Sequence, residues 1–351
     1  AGVYSDHECF TYENALEKLQ KGQFIMIREG TAAQNLKALL PLLNQQYYSR
    51  LMFATDDKHP SDLLHGGHID YIVKNAISMG VDPIIAMKVA SHNAARYFLM
   101  NNKGAIAPGY LADFVILDNF RNFEIQRVIK KGKLVFEAGR LLDISRPAVA
   151  PELEAKARDT FHLPEISPAL LRRDKPLGRL RIIPGELITE NMGYAAGVDT
   201  ENDILKICVA ERHHATGHIG VGYLTGYGLK EGAVATSIAH DSHNIIAVGA
   251  GDEDLALAMN RVHALGGGIV VARAGEILAE VPLPIAGLIS DQPLSQVNAQ
   301  LERAKETARA LGVKPGVDPF MTLSFMSLAV IPSLRVTTRG VFDVASQTYL
   351  E

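Results

Sequence analysis

Two short clusters carry side chains from which hydrolytic chemistry is built. Ser5-Asp6-His7-Glu8 sets an imidazole among carboxylates near the start of the chain, and Thr55-Asp56-Asp57 supplies two adjacent carboxylates. Hydrolysis of an unreactive C–N bond needs a strong nucleophile at neutral pH. A divalent cation provides one by lowering the pKa of a coordinated water from about 15.7 to about 7. Imidazole and carboxylate are suitable ligands for zinc, iron or manganese. An aspartate beside such an ion can take the proton of the attacking water and pass it to the leaving amine. His7 and Asp56 are therefore the candidate pair. By residue type alone, the same residues also read as a loop cap and as a helix-capping acidic pair.

Histidines recur elsewhere. His213, His214 and His218, with His240, Asp241 and His243, make an H-x4-H and an H-x2-H in the last third of the chain. Three readings stand: a hydrogen-bonded polar cluster at strand ends, a lid over an active site, or a second metal site. For His65 and His68, in the loop and helix after the third strand, a structural role is expected. The glycine runs Gly217 to Gly222 and Gly266 to Gly268 lack the lysine and spacing of phosphate-binding loops and read as turns.

The elements that must position these residues alternate. Thr11 caps a helix carrying Ala15, Leu16 and Leu19, with Glu13 in its first turn, and Gly22 closes it. Phe24 to Ile27 and Leu51 to Ala54 are continuous apolar runs of strand length, which suits parallel strands buried on both faces. Thr31 is expected to start a helix through Leu36, Leu39 and Leu40. Ile69, Ile72, Val73 and Ile77 fall at helical spacing before Gly80, and a further helix covers Pro83 to Phe98. Such alternation means a doubly wound sheet or a (β/α)8 barrel, and in both the chemistry sits at the C-terminal strand ends. His7, Arg28 and Asp56 all fall at such ends.

From Gly104 the pattern becomes short strands, with a hairpin turning at Lys131-Gly132. Residues 146–177 are rich in Pro, Arg and Glu and read as a linker. Residues 178–351 mix strands and helices as an α+β domain. Strands are expected at Ile204 to Val209, Gly232 to Ile238 and Ile245 to Val248. Helices are expected from Asp252 or Glu253 and from Ser295, with a hairpin turning at Ala274-Gly275.

Bulk properties narrow the function classes. The chain has 351 residues and a net charge of -4, so charge supports no nucleic-acid partner. Its two cysteines, Cys9 and Cys208, allow no disulfide framework or cysteine-rich zinc cluster, which fits a cytoplasmic setting. No apolar run approaches the roughly 20 residues of a membrane span. The opening Ala1-Gly2-Val3-Tyr4 resembles neither a signal peptide nor a natural start, so a longer parent protein is expected.

Several segments carry a family resemblance. The run Asn93-Ala94-Ala95, then Gly104-Ala105-Ile106-Ala107-Pro108-Gly109-Tyr110-Leu111-Ala112-Asp113, resembles the end of an amidohydrolase-superfamily enzyme, with Asn-Ala-Ala where Asn-Pro-Ala is common. More specific are Ser5-Asp6-His7-Glu8, Arg28-Glu29-Gly30, Thr55-Asp56-Asp57-Lys58-His59-Pro60, Gly67-His68-Ile69-Asp70, Glu211-Arg212-His213-His214, His240-Asp241-Ser242-His243-Asn244 and Pro319-Phe320-Met321. In that order they are similar to the bacterial and archaeal adenine deaminases. The resemblance implies an α/β fold comprising the C-terminal part of a (β/α)8 barrel (1–103), a small β-sandwich segment (104–145), the linker (146–177) and an α+β C-terminal domain (178–351).

It also implies hydrolysis of adenine to hypoxanthine and ammonia at a binuclear centre of manganese or iron, with zinc less favoured. His7 would be the sixth-strand ligand, and Asp56 the eighth-strand ligand and proton shuttle. Glu8, Arg28 and Asp57 are candidates for contacting the purine or orienting the ligands. The family's His-x-His pair, fourth-strand bridging residue and fifth-strand histidine are absent. The isolated chain is therefore expected to lack its N-terminal half, to be inactive alone and to associate into oligomers. The competing readings are another cyclic-amidine or cyclic-amide hydrolase, and a non-catalytic metal-binding or assembly module built on the histidine-rich domain.

Overall fold

In a computed structural model describing residues 2–31, 33–142 and 148–350, the chain divides into two units, 1–147 and 148–351. The first unit is built on three parallel strands, β1 (Ser5–Asp6), β2 (Phe24–Arg28) and β3 (Leu51–Ala54), in the order β1-β2-β3. The apolar runs do what their pattern demands: Ile25, Ile27, Leu51 and Met52 are almost entirely buried. Helix α1 (Tyr12–Gln20) begins at Thr11, whose Oγ1 accepts the Asn14 N–H at 3.3 Å, and ends at Gly22 with φ at +89°.

The helix expected from Thr31 starts later, at α2 (Leu36–Leu39). The residues between are engaged elsewhere. The Thr31 N–H donates to the Asp57 carbonyl at 2.7 Å, and its hydroxyl donates to the Asp62 carboxylate. Asn35 donates to the Cys9 carbonyl at 2.7 Å, and Glu29 accepts the Leu36 N–H at 3.2 Å. These contacts tie the loop after β2 to the ends of β1 and β3, at the expense of about one helical turn.

Helices α3 (Pro60–His65) and α4 (Ile69–Ser78) follow, and α5 (Pro83–Met87) runs through one wide turn into α6 (Asn93–Tyr97). Asn93 is buried, and its amide donates to the Tyr48 and Leu51 carbonyls at 2.6 and 2.9 Å, which anchors the start of β3. An antiparallel meander comes next: β4 (Phe114–Leu117), β5 (Ile125–Lys130), β6 (Lys133–Glu137) and β7 (Arg140–Leu141). The expected hairpin turns at Lys131 and Gly132, with φ of +49° and +77°. Positive φ at both central residues is what a two-residue hairpin loop of matching twist requires. The last residues of the expected β segment, 143–145, and the first two of the linker lie outside the described residues.

The remaining linker is not a bare connection. Residues 148–177 carry helix α7 (Pro151–Arg158) and pack into the second unit, where Ile166 and Leu171 are buried. The Ile166 backbone exchanges hydrogen bonds with the Asn260 side chain at 2.9 and 2.8 Å. Composition suggested a linker because charges and prolines dominate, yet a few apolar residues at the right places suffice to dock such a segment.

The second unit is an eight-stranded sheet. Its strands are β8 (Leu177–Ile182), β9 (Thr189–Ala195), β10 (Leu205–Ala210), β11 (Ile219–Thr225), β12 (Ala233–Thr236), β13 (Ile245–Gly249), β14 (Gly268–Arg273) and β15 (Glu276–Pro282). They run in the order β15-β14-β12-β13-β10-β11-β8-β9, antiparallel except where β8 meets β11. Helix α8 (Asp252–Ala264) covers one face and α9 (Leu294–Ala310) the other. Accordingly Ile245, Ala247, Val270 and Ala272 join one core, and Ile246, Val248, Ile269 and Val271 the opposite one. Burying each such aliphatic side chain contributes about 1.5–3 kcal/mol before entropy is counted. The Gly267–Gly268 turn and the Ala274-Gly275 hairpin fall where expected.

A short helix α10 (Met321–Phe325) precedes a second sheet of β16 (Leu334–Thr337), β17 (Gly340–Asp343) and β18 (Thr348–Tyr349). The glycines Gly220 and Gly222, read as turn residues, lie inside β11. A Cβ on Gly220 would stand 1.8 Å from the Thr337 carbonyl oxygen, and one on Gly222 would stand 2.5 Å from Val341 Cγ2. They are glycine because the β16–β17 hairpin lies against that face of the strand. Only Gly217, with φ at +70°, behaves as a turn residue there.

Candidate metal centre at the strand ends

Strand pairing brings the site residues together. Arg28, the last residue of β2, pairs in register with Ala54 of β3. His7 and Glu8 follow β1 directly on its other side. The buried Arg28 guanidinium grips Glu8 with both terminal nitrogens at 3.0 Å, and its Nη1 reaches Asp56 Oδ2 at 2.6 Å. Glu8 Oε1 also lies 3.1 Å from His7 Nε2. Among the described residues, His7, Glu8 and Asp56 are the one set of three or more His, Cys, Asp or Glu whose ligand atoms all lie within 4.8 Å of one another. One imidazole and two carboxylates make a donor set suited to a divalent transition ion.

Local backbone features hold the set in place. Asp56 sits at φ +56°, in the left-handed region that aspartate and asparagine tolerate better than most residues. Gly30 allows the close approach of the two loops, since a Cβ there would stand 2.4 Å from the Thr55 carbonyl oxygen and 2.6 Å from that of Asp57. At the end of β1, Asp6 accepts the Glu8 N–H at 2.5 Å and an ion pair from Lys18 of α1. Partial burial pushes the Asp6 carboxyl up, but Lys18 and the Glu8 N–H outweigh it and hold the group below its ordinary value.

The structure therefore gathers His7, Glu8, Arg28 and Asp56. Asp57 contributes its backbone carbonyl to Thr31. Asp6, Lys18, Gly30 and Thr31 were not picked out as supports by sequence reasoning. The signal that could have found Gly30 is a glycine directly after a strand-end Arg-Glu, where two loops must cross. His68 Nε2 lies 3.2 Å from Thr55 Oγ1 and His65 Nδ1 2.8 Å from the Ser61 carbonyl, so both have local partners.

The histidine-rich segments of the second unit are organised by other residues. Glu211 accepts the N–H groups of His213, His214 and Thr216 and the Thr216 hydroxyl. Arg212, almost wholly buried, donates to the carbonyls of Thr160, His243 and Ala286 and faces the Phe161 ring at 4.3 Å. His213 Nε2 lies 2.8 Å from the Ser242 carbonyl, and His240 stands beside Phe325 with ring centroids 4.5 Å apart. His213, His214, His240, Asp241 and His243 do not draw three ligand atoms within 4.8 Å, so the second-metal-site reading finds no such set among the described residues. His213, His240 and His243 join loops instead, through the Ser242 carbonyl, the Ser324 carbonyl and the Arg212 guanidinium.

His243 makes that network acid-sensitive. Burial, with His240 and Arg212 alongside, holds its imidazole below the ordinary value of 6.5 against the opposing pull of Asp241. A lowered folded-state pKa means that the unfolded chain binds the proton first. Stability is then complete above about pH 6.5 and is lost as pH falls through the folded value. The thermal midpoint of the second unit is expected to drop between pH 7 and pH 5. His243→Asn, which accepts the native φ of +49°, should flatten that drop. An unchanged slope in differential scanning calorimetry would refute the assignment.

Two family models match the chain, one within each unit. Residues 10–135 match the model of the amidohydrolase family, which fits the α/β arrangement of the first unit. Residues 186–348 match the adenine deaminase C-terminal domain. The chain is 43% identical to adenine deaminase 2 of Carboxydothermus hydrogenoformans, over 99% of this chain and 62% of that protein. It is 44% identical to the adenine deaminase of Desulfatibacillum aliphaticivorans, over 98% and 61%. It is 42% identical to that of Kosmotoga olearia, over 100% and 62%. The chain is similar to the adenine deaminases along nearly its whole length, and it spans about three fifths of the length of these relatives. A solved beta-aspartyl dipeptidase from Fervidobacterium islandicum aligns at 26% identity with a TM-score of 0.33, over 38% of this chain and 36% of that one. No helix among the described residues is long and apolar enough to cross a membrane.

Proposed function

We propose that this chain supplies part of the active centre of a hydrolase that converts adenine and water to hypoxanthine and ammonia. The observation that carries the reading is the cluster of His7, Glu8 and Asp56 at parallel strand ends, in a chain 42–44% identical to proteins named adenine deaminase. In this reading β1 to β3 are strands of a (β/α)8 barrel, β4 to β7 belong to its small sandwich, and the eight-stranded unit is the C-terminal domain of the family. His7 and Asp56 would hold a divalent ion, manganese or iron by the family likeness, within a binuclear centre. The ion's contribution is to make water nucleophilic at neutral pH. Asp56 accepts the proton of the attacking water and returns it to the departing amine, so that ammonia leaves as the C–N bond breaks. Glu8 and Arg28 keep the donors oriented.

A binuclear centre needs donors beyond His7 and Asp56, and no set larger than these two with Glu8 is gathered there among the described residues. The test therefore uses the natural protein at the full length its gene encodes, loaded with Mn2+ or Fe2+. Adenine, adenosine and a dihydropyrimidine are offered separately. Hypoxanthine and ammonia from adenine alone are expected. Turnover restricted to adenosine or to the dihydropyrimidine would refute the reading.

A further inference from the structure

We infer that Arg28 is a positioning residue for the divalent ion, and that Glu8 serves as its counter-ion rather than as a ligand. This rests on the proposed reading of His7 and Asp56 as the ion's donors. Three observations carry it. First, the Arg28 side chain is 5% exposed, while those of Glu8 and Asp56 are 59% and 34% exposed. A buried cation of this kind demands anionic partners. Its Nε is buried without a hydrogen-bond partner, and the Phe10 ring lies 5.6 Å from the guanidinium carbon. Its charge is answered by two carboxylates.

Second, those carboxylates are used differently. Arg28 takes both oxygens of Glu8 in a fork that a planar guanidinium matches and a lysine ammonium cannot. From Asp56 it takes Oδ2 alone, which leaves Oδ1 for a cation. Third, Glu8 Oε1 also meets His7 Nε2 at 3.1 Å. His7, Glu8, Arg28 and Asp56 thus form one connected line, with the guanidinium at its centre on the middle strand. A carboxylate that orients a liganding imidazole is a general way of setting metal affinity from outside the ligand set. Here Arg28 fixes that carboxylate and the aspartate together.

The experiment is Mn2+ titration calorimetry on the metal-stripped natural protein, Arg28→Met and Arg28→Lys, each at a temperature where circular dichroism shows it folded. Steady-state kinetics with adenine accompany the titrations. Arg28→Met should weaken Mn2+ binding about 10- to 100-fold. Arg28→Lys should recover little of it, because one ammonium cannot hold both carboxylates. Saturating Mn2+ should restore most of the kcat of Arg28→Met with KM near wild type, a rescue that a general loss of folding would not show. Unchanged or tighter Mn2+ binding by Arg28→Met overturns the inference, as does full recovery by Arg28→Lys or no Mn2+ binding by the wild type. A raised KM at unaltered Mn2+ affinity also overturns it and makes Arg28 a substrate contact. The titration uses no adenine. If the protein fails to deaminate adenine but the Arg28 dependence of Mn2+ binding holds, the functional reading falls and this inference stands.

Discussion

Asp56→Asn in the natural protein should lower kcat for adenine by at least about a thousandfold and leave the fold intact. In the proposed reading two roles meet in this one carboxylate, and the loss follows from both. An amide cannot accept the proton of the attacking water, and it is a poor ligand for a hard divalent ion. Loss of a positioned acid–base group alone costs about 10²- to 10⁴-fold. The fold should survive for equally specific reasons. Asparagine tolerates the left-handed backbone that Asp56 adopts at φ +56°. Arg28 keeps its two contacts to Glu8. The Asp56 side chain is 34% exposed, so solvent screens the lost ion pair and the expected cost is only about 1 kcal/mol. Circular dichroism and a melting curve would check the fold, and ammonia release the turnover. Near-normal turnover by Asp56→Asn, with the loss appearing in Asp57→Asn instead, would place the proton shuttle on the neighbouring carboxylate.

The largest effect on stability is expected from one methyl group on β11. Gly220→Ala would put a carbon 1.8 Å from the Thr337 carbonyl oxygen and 2.5 Å from the Gly340 nitrogen. Both neighbours are backbone, so no side chain can swing away, and the β16–β17 hairpin must lift from the sheet. Leu334, Val336 and Val341, all buried, would lose packing with it. Overpacking of this kind costs about 1–3 kcal/mol and occasionally more. The rigid obstacle puts Gly220→Ala at or above the upper end of that range. Gly217→Ala is the control. Nothing lies within 4 Å of its Cβ position, and its φ of +70° alone is at issue, so the cost should be about 1 kcal/mol. Urea unfolding of the two variants would show the order; equal stability would mean that the hairpin yields freely.

Much of this fold was legible in one dimension. The parallel strands, the cap at Thr11, the stops at Gly22 and Gly80, the hairpins at Lys131-Gly132 and Ala274-Gly275 and helices α8 and α9 all follow from local rules of periodicity and backbone freedom. The errors share a cause. Thr31 has the chemistry of a helix cap but is engaged by Asp57 and Asp62 from another loop. Gly220 and Gly222 have the chemistry of turns but answer to a hairpin more than a hundred residues further along the chain. Residues 148–177 have a linker's composition but are docked by Ile166 and Leu171.

The sequence by itself determined which residues could do chemistry, His7 and Asp56 above all, and which alternating elements would carry them, because side-chain chemistry and helix or strand period are local properties. Only the tertiary structure decided how Glu8 and Arg28 relate to that pair, and that among the described residues His213, His240 and His243 join loops without a three-ligand set forming around them. Those outcomes depend on which strand ends lie side by side and which way each loop turns. Such distances are set by pairing between segments far apart in the chain, and no single segment encodes them.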